Sequence, residues 1–285
     1  MENNASTQVN PLSKYFRQPS IYIKLPSGGA FWPEGSLDLQ VTGEVAVYPM
    51  TTRDEVTLRT PDALMNGSGV VDVIQSCCPS IKDAWKMPNV DVDAVLIAIR
   101  IASYGSNMEI ETRCPHCQEP NNHGLDLQNC LSSIRSPDYN QPISIGSLMI
   151  NLKPMQYFGQ NRSSTVDFEE QKMLQALERA DIDDETRSAQ IYASMQRLIK
   201  INIDTLTDST ASIVLDNGIV VDDRAFINEF YAKTASSLVK EIQEKLSEFN
   251  QVAGIKPQNV SCGECTKPYE VPVTFDYASF FAKGS

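Results

Sequence analysis

The fold is decided by a stretch that runs from an alternating strand into a paired-cysteine turn: Met108-Glu109-Ile110-Glu111-Thr112-Arg113-Cys114-Pro115-His116-Cys117. Residues 119–124 predict a turn, and residues 125–127 predict the start of a returning strand. The far end of the chain repeats this plan. Residues 256–261 lead into Cys262-Gly263-Glu264-Cys265, and residues 269–275 alternate as a further strand. A strand, a Cys-x-x-Cys turn and a strand therefore occur twice, separated by a long insertion.

Two Cys-x-x-Cys turns together supply the four thiolates of a tetrahedral Zn²⁺ site. Each tight turn brings two sulfurs together, and its backbone amides can donate hydrogen bonds to them. The separation is far longer than in ordinary zinc ribbons, but the repeated strand context predicts the same local geometry twice. We therefore predict a structural Zn²⁺ bound by Cys114, Cys117, Cys262 and Cys265, with cysteines that bind no metal as the alternative. A closed four-cysteine site leaves no open position for catalysis.

A redox enzyme is the alternative from another class. Cys-Pro-His-Cys is also the active-site tetrapeptide of strongly oxidising thioredoxin-like proteins, in which a helix N-terminus lowers the pKa of the first thiol. Here Gln-Glu-Pro-Asn-Asn-His-Gly follows Cys117, and this segment cannot continue a helix. We therefore rank a dithiol–disulfide oxidoreductase using Cys114 and Cys117 below the metal site and expect no enzymatic activity. His116 could replace one cysteine as a ligand, but with four cysteines available we expect it to bind no metal. The sequence suggests no partner for His123.

Composition narrows the class of protein. The 285 residues are 41% hydrophobic and 21% charged, as in globular domains, and carry a formal net charge of −12. The bases are scattered, so counterion release from phosphates offers little binding energy. Nucleic acid and anionic membranes are therefore not expected as partners. The same argument speaks against a second alternative function, a zinc-ribbon nucleic-acid adaptor. The chain lacks a Gly-rich phosphate loop, and no small-molecule substrate is expected.

The ends and the cysteine count predict where the protein is made. The polar first residues do not resemble a signal peptide, and no apolar run reaches the length of a membrane span. Seven cysteines are an odd number, which argues against a disulfide framework. We therefore expect a cytoplasmic site of synthesis.

The predicted fold class is α+β, in three parts. Residues 1–19 form a flexible arm. Residues 20–128 and 256–285 form a core in which a strand-and-helix block carries a zinc-ribbon-like module with four cysteines. Residues 129–255 form an inserted domain of helices and hairpins.

Local patterns place the elements within these parts. In the core, we predict strands at 20–25 and 37–48, and helices at 70–78 and 94–104. Thr52 and Glu55 suggest a capping box at an earlier helix, Asp91 or Asp93 an N-cap, and Gly105 a C-terminal cap in the left-handed conformation. In the insertion, hairpins are predicted at 143–152 and 213–221, helices at 168–180 and 186–200, and one or two helices at 226–249.

Two side-chain pairs outside the cysteine turns are ambiguous. Phe31 and Trp32 lie between turn signals, and they either plug the core, which we favour, or anchor a partner. Cys77 and Cys78 end an amphipathic helix, and we expect them to be inert packing residues.

Several strings, in order and at their spacing over about a hundred residues, resemble the baseplate hub proteins of contractile-tailed phages of the T-even type. The strings are Leu25-Pro26-Ser27-Gly28-Gly29, Val47-Tyr48-Pro49-Met50-Thr51, Leu58-Arg59-Thr60-Pro61-Asp62-Ala63-Leu64-Met65-Asn66-Gly67 and Asp93-Ala94-Val95-Leu96-Ile97-Ala98-Ile99-Arg100-Ile101-Ala102-Ser103-Tyr104-Gly105. They are followed by Met108-Glu109-Ile110 and Cys114-Pro115-His116-Cys117. The resemblance covers about residues 22–127 and the terminal Cys-x-x-Cys turn.

The resemblance implies a structural part of the central baseplate hub, found in the virion tail and assembled in the host bacterial cytoplasm. A hub assembly factor that is absent from the mature virion is the alternative role. Other hub and tail proteins are the implied partners. The resemblance implies no catalysis, and it carries over the four cysteines only as a candidate metal site. Phe31, Trp32 and the arm are candidate contact elements.

Overall fold

The α+β prediction is confirmed in a computed structural model that describes residues 10–60, 66–179, 182–250, 254–273 and 280–281. Within these residues the helices are α1 (Thr52–Leu58), α2 (Ser68–Cys77), α3 (Asn89–Tyr104), α4 (Leu127–Ser133), α5 (Tyr157–Arg179), α6 (Asp184–Ser209), α7 (Arg224–Lys233) and α8 (Ser236–Asn250). The strands are β1 (Ile21–Lys24), β2 (Glu44–Val47), β3 (Asn107–Arg113), β4 (Pro120–Asp126), β5 (Ile143–Ile145), β6 (Leu148–Leu152), β7 (Thr210–Val214), β8 (Val220–Val221), β9 (Gln258–Ser261) and β10 (Pro268–Val271). All pairings between these strands are antiparallel.

The N-terminal block packs a two-stranded sheet against helices α2 and α3. β1 pairs with β2 in the register Ile21 to Val47, and α3 is buried along most of its length. The predicted strand over 37–48 is shorter than expected. Leu37 makes only an isolated bridge with Ile81, and the chain turns at Gly43, where φ is 71°.

Two predicted helix caps are wrong by a few residues. Thr51, not Thr52, caps α1, and it forms the capping box with Asp54. α3 begins at Asn89, so Asp91 lies inside its first turn. Asp91 is fully buried and accepts hydrogen bonds from elsewhere in the chain, which the local pattern could not reveal. Gly105 does end α3, but its φ of 91° and ψ of 176° differ from the left-handed helical conformation predicted for this cap.

The two aromatic residues of the ambiguous pair have different environments. The Trp32 indole Nε1 donates to Asp91 Oδ2 at 2.9 Å, and its ring packs against the main core. Phe31 is 46% exposed, with its ring edge-to-face against Tyr139 at a centroid distance of 5.1 Å. Trp32 is therefore the plug, while Phe31 remains accessible at the surface.

The region predicted as an insertion contains its own sheet and its own hydrophobic cluster. The sheet has the order β5-β6-β7-β8, and both predicted hairpins are present. Ile150, Ile227 and Ile242 are among the residues at the centre of the cluster. α5 and α6 are longer than predicted, and residues 226–249 contain two helices, α7 and α8. No helix among the described residues is long and apolar enough to cross a membrane.

The described part of the predicted arm contains a 3₁₀ turn and one strong attachment. Residues Pro11–Tyr15 form the turn and are exposed. The Arg17 guanidinium donates to the carbonyl of Ser76 at 2.7 Å and of Pro49 at 2.9 Å, and it lies 3.4 Å from the Asp54 carboxylate. Residues 1–9 lie outside the described residues.

Candidate metal centre

The four predicted cysteines meet in one place. The β3–β4 hairpin carries Cys114 and Cys117, and the β9–β10 hairpin carries Cys262 and Cys265. All four sulfurs lie within 4.8 Å of one another. Cys114 and Cys262 are buried, whereas the other two lie nearer to the surface.

The sulfur separations fit a tetrahedral metal ion. The Sγ atoms of Cys114 and Cys265 are 3.7 Å apart, and those of Cys117 and Cys262 are 3.6 Å apart. A disulfide would need about 2.05 Å. A tetrahedron with metal–sulfur bonds of about 2.3 Å has edges of about 3.8 Å. The four cysteines could therefore hold one metal ion, and a four-thiolate donor set suits zinc or iron.

The two Cys-x-x-Cys turns have the same backbone geometry. Four residues after the first cysteine of each turn, Gln118 and Thr266 adopt φ of 64° and 58°. Their amides donate to the carbonyls of Cys114 and Cys262 at 2.9 and 3.1 Å. These left-handed residues close each turn, so the sequence repeat corresponds to a structural repeat.

Backbone amides also point at the sulfurs. The amide of His116 donates to Cys114 Sγ at 3.4 Å, and the amide of Cys265 donates to Cys262 Sγ at 3.5 Å. These bonds favour the thiolate form that binds metal. The backbone bond of Cys265 is the main cause that lowers the pKa of Cys262 to about 6.

The pKa of Cys117 is shifted in the opposite direction to that of Cys262. The backbone hydrogen bond involving Glu119 lowers the pKa of its thiol, but desolvation and the three neighbouring cysteines raise it to about 12. In a cluster of four thiols without a cation, one site ionises first and the others then resist ionisation. A bound cation would remove this conflict by stabilising all four thiolates.

Asn121 links the two turns, and sequence reasoning missed it. Its Oδ1 accepts from the amide of Gly263 at 2.7 Å, and its Nδ2 donates to Glu119 O at 2.9 Å and Cys262 Sγ at 3.5 Å. Asn121 lies in the segment that the sequence predicted to be a turn. A polar turn residue gives no signal for a bridging role.

Tyr269 forms a second link, between the β9–β10 hairpin and both strands of the first hairpin. Its hydroxyl lies 2.7 Å from Thr112 Oγ1 and 2.9 Å from His123 Nε2. The sequence suggested no partner for His123, and the structure supplies one. The side chain of His116 is exposed and is not part of the cysteine cluster.

The segment after Cys117 is a strand rather than the predicted turn. β4 starts at Pro120 and pairs with β3 along seven residues. Proline is tolerated as the first residue of a strand, and the two asparagines that follow lie in a two-stranded sheet that keeps one edge free. The helix that follows the first cysteine in thioredoxin-like sites is replaced here by a turn and a strand.

The other three cysteines are buried elsewhere. Cys77, Cys78 and Cys130 all belong to the main hydrophobic cluster. Burial raises the pKa of Cys77 to about 12 and also raises the pKa of the other two thiols. They are packing residues, as predicted for Cys77 and Cys78.

Fold and site together define an α+β protein with a closed cysteine cluster that joins two distant hairpins. The family model described as T4 bacteriophage base plate protein matches residues 18–282, which include all four cysteines. The chain therefore belongs to this family of phage baseplate proteins. Comparison with curated proteins and with solved structures gives no match. Family membership makes the protein a component of the phage tail with a structural role, in contact with other baseplate or tail proteins.

Proposed function

We propose that this protein is a structural part of the central baseplate hub of a contractile phage tail, and that a Zn²⁺ ion fixes its shape. The observation that carries the proposal is the closed cluster of four cysteines from two distant hairpins in a chain of the baseplate family. All four candidate ligands are protein thiols, so a bound ion would have no open position for substrate. Its contribution would be rigidity.

The proposed zinc would act on the geometry of the interfaces. Metal held by Cys114, Cys117, Cys262 and Cys265 would lock the two hairpins in one orientation. An assembly partner would then meet one rigid surface, which lowers the entropy cost of binding. Elemental analysis of protein purified without chelator tests this part. About one zinc per chain is expected, and metal-free folded protein would refute it.

A permanent place in the particle is proposed over a departing assembly factor. The test is quantitative mass spectrometry of purified particles and of baseplate subassemblies from the same infection. We expect the chain in both, at a fixed ratio to the other hub proteins. Presence in subassemblies alone would favour the assembly factor, and absence from both would refute the hub role.

The enzyme alternative predicts a different result. A dithiol oxidoreductase would turn over a model disulfide substrate and lose activity in a Cys114→Ser variant. We propose that activity is at background, because a metal would occupy both thiolates of this turn. Colourimetric thiol titration with and without chelator separates the two, since only bound metal makes the four thiols chelator-dependent.

Partner choice follows from charge. At a net charge of −12 without a basic cluster, the chain gains little from phosphate counterion release. Co-expression with candidate hub proteins and pull-down should recover them, whereas DNA at physiological salt should not bind. Tight DNA binding without any hub protein would contradict the proposal.

A further inference from the structure

The long hairpin formed by α5 and α6 has polar side chains buried between its helices. Glu170 is 6% exposed and Ser194 is 0% exposed. Ser194 Oγ donates to Glu170 Oε2 at 2.6 Å, and Arg197 Nη2 donates to the same oxygen at 3.0 Å. The Arg197 side chain is 44% exposed, so only the carboxylate of this ion pair is buried, and the pair specifies the register of the two helices more than it stabilises them.

Several apolar side chains in the middle of α6 are exposed, whereas Ile201 and Leu206 further along the helix are buried. We define the α6 stripe as Ile191, Tyr192, Met195 and Ile199, which are 36%, 67%, 47% and 53% exposed. Tyr192, Met195 and Ile199 follow one another at steps of three and four residues, so they share one face of the helix. Exposed apolar side chains gathered on one face are typical of an interaction site.

An acidic edge accompanies this stripe. Glu170 of α5 and Ser194 of α6 face each other across the hairpin, and on one side of this pair Arg197 Nη2 contacts Met173 Sδ at 3.3 Å. Counted from Glu170 at about 100° per residue, Asp167 and Glu178 lie on the opposite side of α5 from Met173. Counted from Ser194 in the same way, Met195 lies on the opposite side of α6 from Arg197. Both acids are exposed, and neither forms an ion pair within the described part of the chain.

We propose that the α6 stripe binds an amphipathic helix of a neighbouring baseplate protein, one with a Lys- or Arg-rich edge beside its apolar face. The apolar face would cover Tyr192, Met195 and Ile199, and the basic edge would lie against Asp167 and Glu178. This inference rests on the proposed role as a baseplate component and adds the chemistry of one partner. Helix-in-groove recognition reads apolar anchors at this spacing.

Charge argues against a second copy of this chain as the occupant. Two copies joined through their α6 stripes would bring two acidic α5 edges to the same interface. Like charges facing each other oppose association. A partner with a basic edge turns the same acids into favourable contacts and gains faster, salt-dependent association.

The test uses the full chain in assembling tails. The photo-cross-linking amino acid p-benzoylphenylalanine replaces Tyr192, and cross-linked segments are identified by mass spectrometry of baseplate subassemblies and particles. We expect one segment from another baseplate protein, with apolar residues at helical spacing and an excess of Lys and Arg. Cross-links to a second copy, to an acidic or non-helical segment, or to no chain would overturn the inference.

Substitutions give the matched comparison. Met195→Ala and Ile199→Ala together should lower incorporation into subassemblies at least tenfold, since both remove anchor side chains from the stripe. Phe168→Ala is the control. Phe168 is 44% exposed on the same hairpin, but it belongs to α5 and not to the stripe, and its ring lies under the Lys172 ammonium at 4.2 Å. Equal losses in both variants would overturn the inference.

Charge variants test the acidic edge separately. Asp167→Asn with Glu178→Gln should reduce incorporation severalfold at low salt and much less at high salt, because salt screens exposed charges. A loss that does not depend on salt would count against the basic edge. If the chain is present in particles while these tests fail, the hub role stands and the stripe assignment is wrong. If the chain is absent from particles and subassemblies, the role itself is wrong.

Discussion

The two cysteine-bearing hairpins share the same turn geometry, but they differ in strand length and in how they pack against the rest of the protein. β3 and β4 pair along seven residues, and Leu125 at the end of that hairpin is buried in the main core. β9 and β10 pair along only four residues, and their buried side chains, Tyr269 and Val271, belong to a small cluster that includes Cys114 and Cys262. An isolated short hairpin is marginal in water. The first hairpin therefore stands on the core, and the second depends on the cysteine cluster.

This difference explains how one repeated motif can have two structural roles. The turns share left-handed residues at Gln118 and Thr266 and amide bonds to sulfur. What distinguishes them is the environment beyond the turn. We expect the first hairpin to be a pre-formed half of the site and the second to be held in place by metal, Asn121 and Tyr269.

Removal of one ligand should have the largest effect. Cys262→Ser should abolish stoichiometric zinc and lower the free energy of unfolding by more than about 4 kcal/mol, the range typical of losing a metal site. Hydrogen exchange should show lost protection in β9 and β10 and retained protection in β3 and β4. Serine at Cys114, Cys117 or Cys265 should behave similarly.

Cys130→Ser is the matched control, because Cys130 is buried in the core and is not part of the cluster. It should keep its zinc and lose only about 1 kcal/mol. Equal loss of protection in both hairpins of the Cys262→Ser variant would contradict the conclusion that only the second hairpin depends on the cysteine cluster.

Acid should release the metal next. The pKa of Cys262 is lowered to about 6, so the folded state favours its thiolate. The resulting stabilisation is complete above the ordinary pKa of a thiol and is lost as the pH falls through about 6. Because protons compete with the metal for all four thiolates, zinc measured with a chromophoric indicator should stay bound near neutral pH and be released in acid. Release that is already complete at neutral pH would contradict a metal held by four thiolates.

Asn121→Ala should have an intermediate effect. It removes the acceptor of the Gly263 amide and a donor to Cys262 Sγ, and groups of this kind typically change metal affinity 10- to 100-fold. Competition with a chelator measures the change. Asn122→Ala, one residue along the same strand and exposed, should leave affinity unchanged. A shift of the acid midpoint to higher pH in Asn121→Ala alone would sharpen the assignment.

Tyr269→Phe should have the smallest effect. It keeps the ring in the small cluster but removes the hydroxyl that meets Thr112 and His123, which should cost about 1 kcal/mol of unfolding free energy. The loss should be visible in chemical denaturation and in faster exchange of β9 and β10. Tyr22→Phe, on an exposed side chain, serves as the control. No difference between the two variants would mean that the hydroxyl does not hold the second hairpin.

The elements with strong local signals were predictable from sequence. The cysteine spacing identified all four residues of the cluster, and alternation identified β3. Gly146 marked the β5–β6 hairpin. These features depend on residues close together in the chain, which is what periodicity and turn chemistry report.

The predictions that were wrong or missing concern residues whose contacts lie far away in the chain. Asp91 has the local pattern of a helix cap, yet it is buried against Ser27 and Trp32 from another part of the chain. Asn121 looked like a turn residue, yet it bridges to Gly263. Neither contact could be predicted from a single sequence, because residues far apart in the chain create them.

The separation of the two turns along the chain has a consequence for the order of events during synthesis. Cys262 follows Cys117 by 145 residues. At about 5–20 residues per second, a ribosome needs roughly 7 to 30 s to travel between them. During that interval the nascent chain carries two cysteines of an unfinished site, and the whole region between them must be translated before the cluster can close. The cluster can therefore close only late in synthesis, after the whole region between Cys117 and Cys262 has been translated.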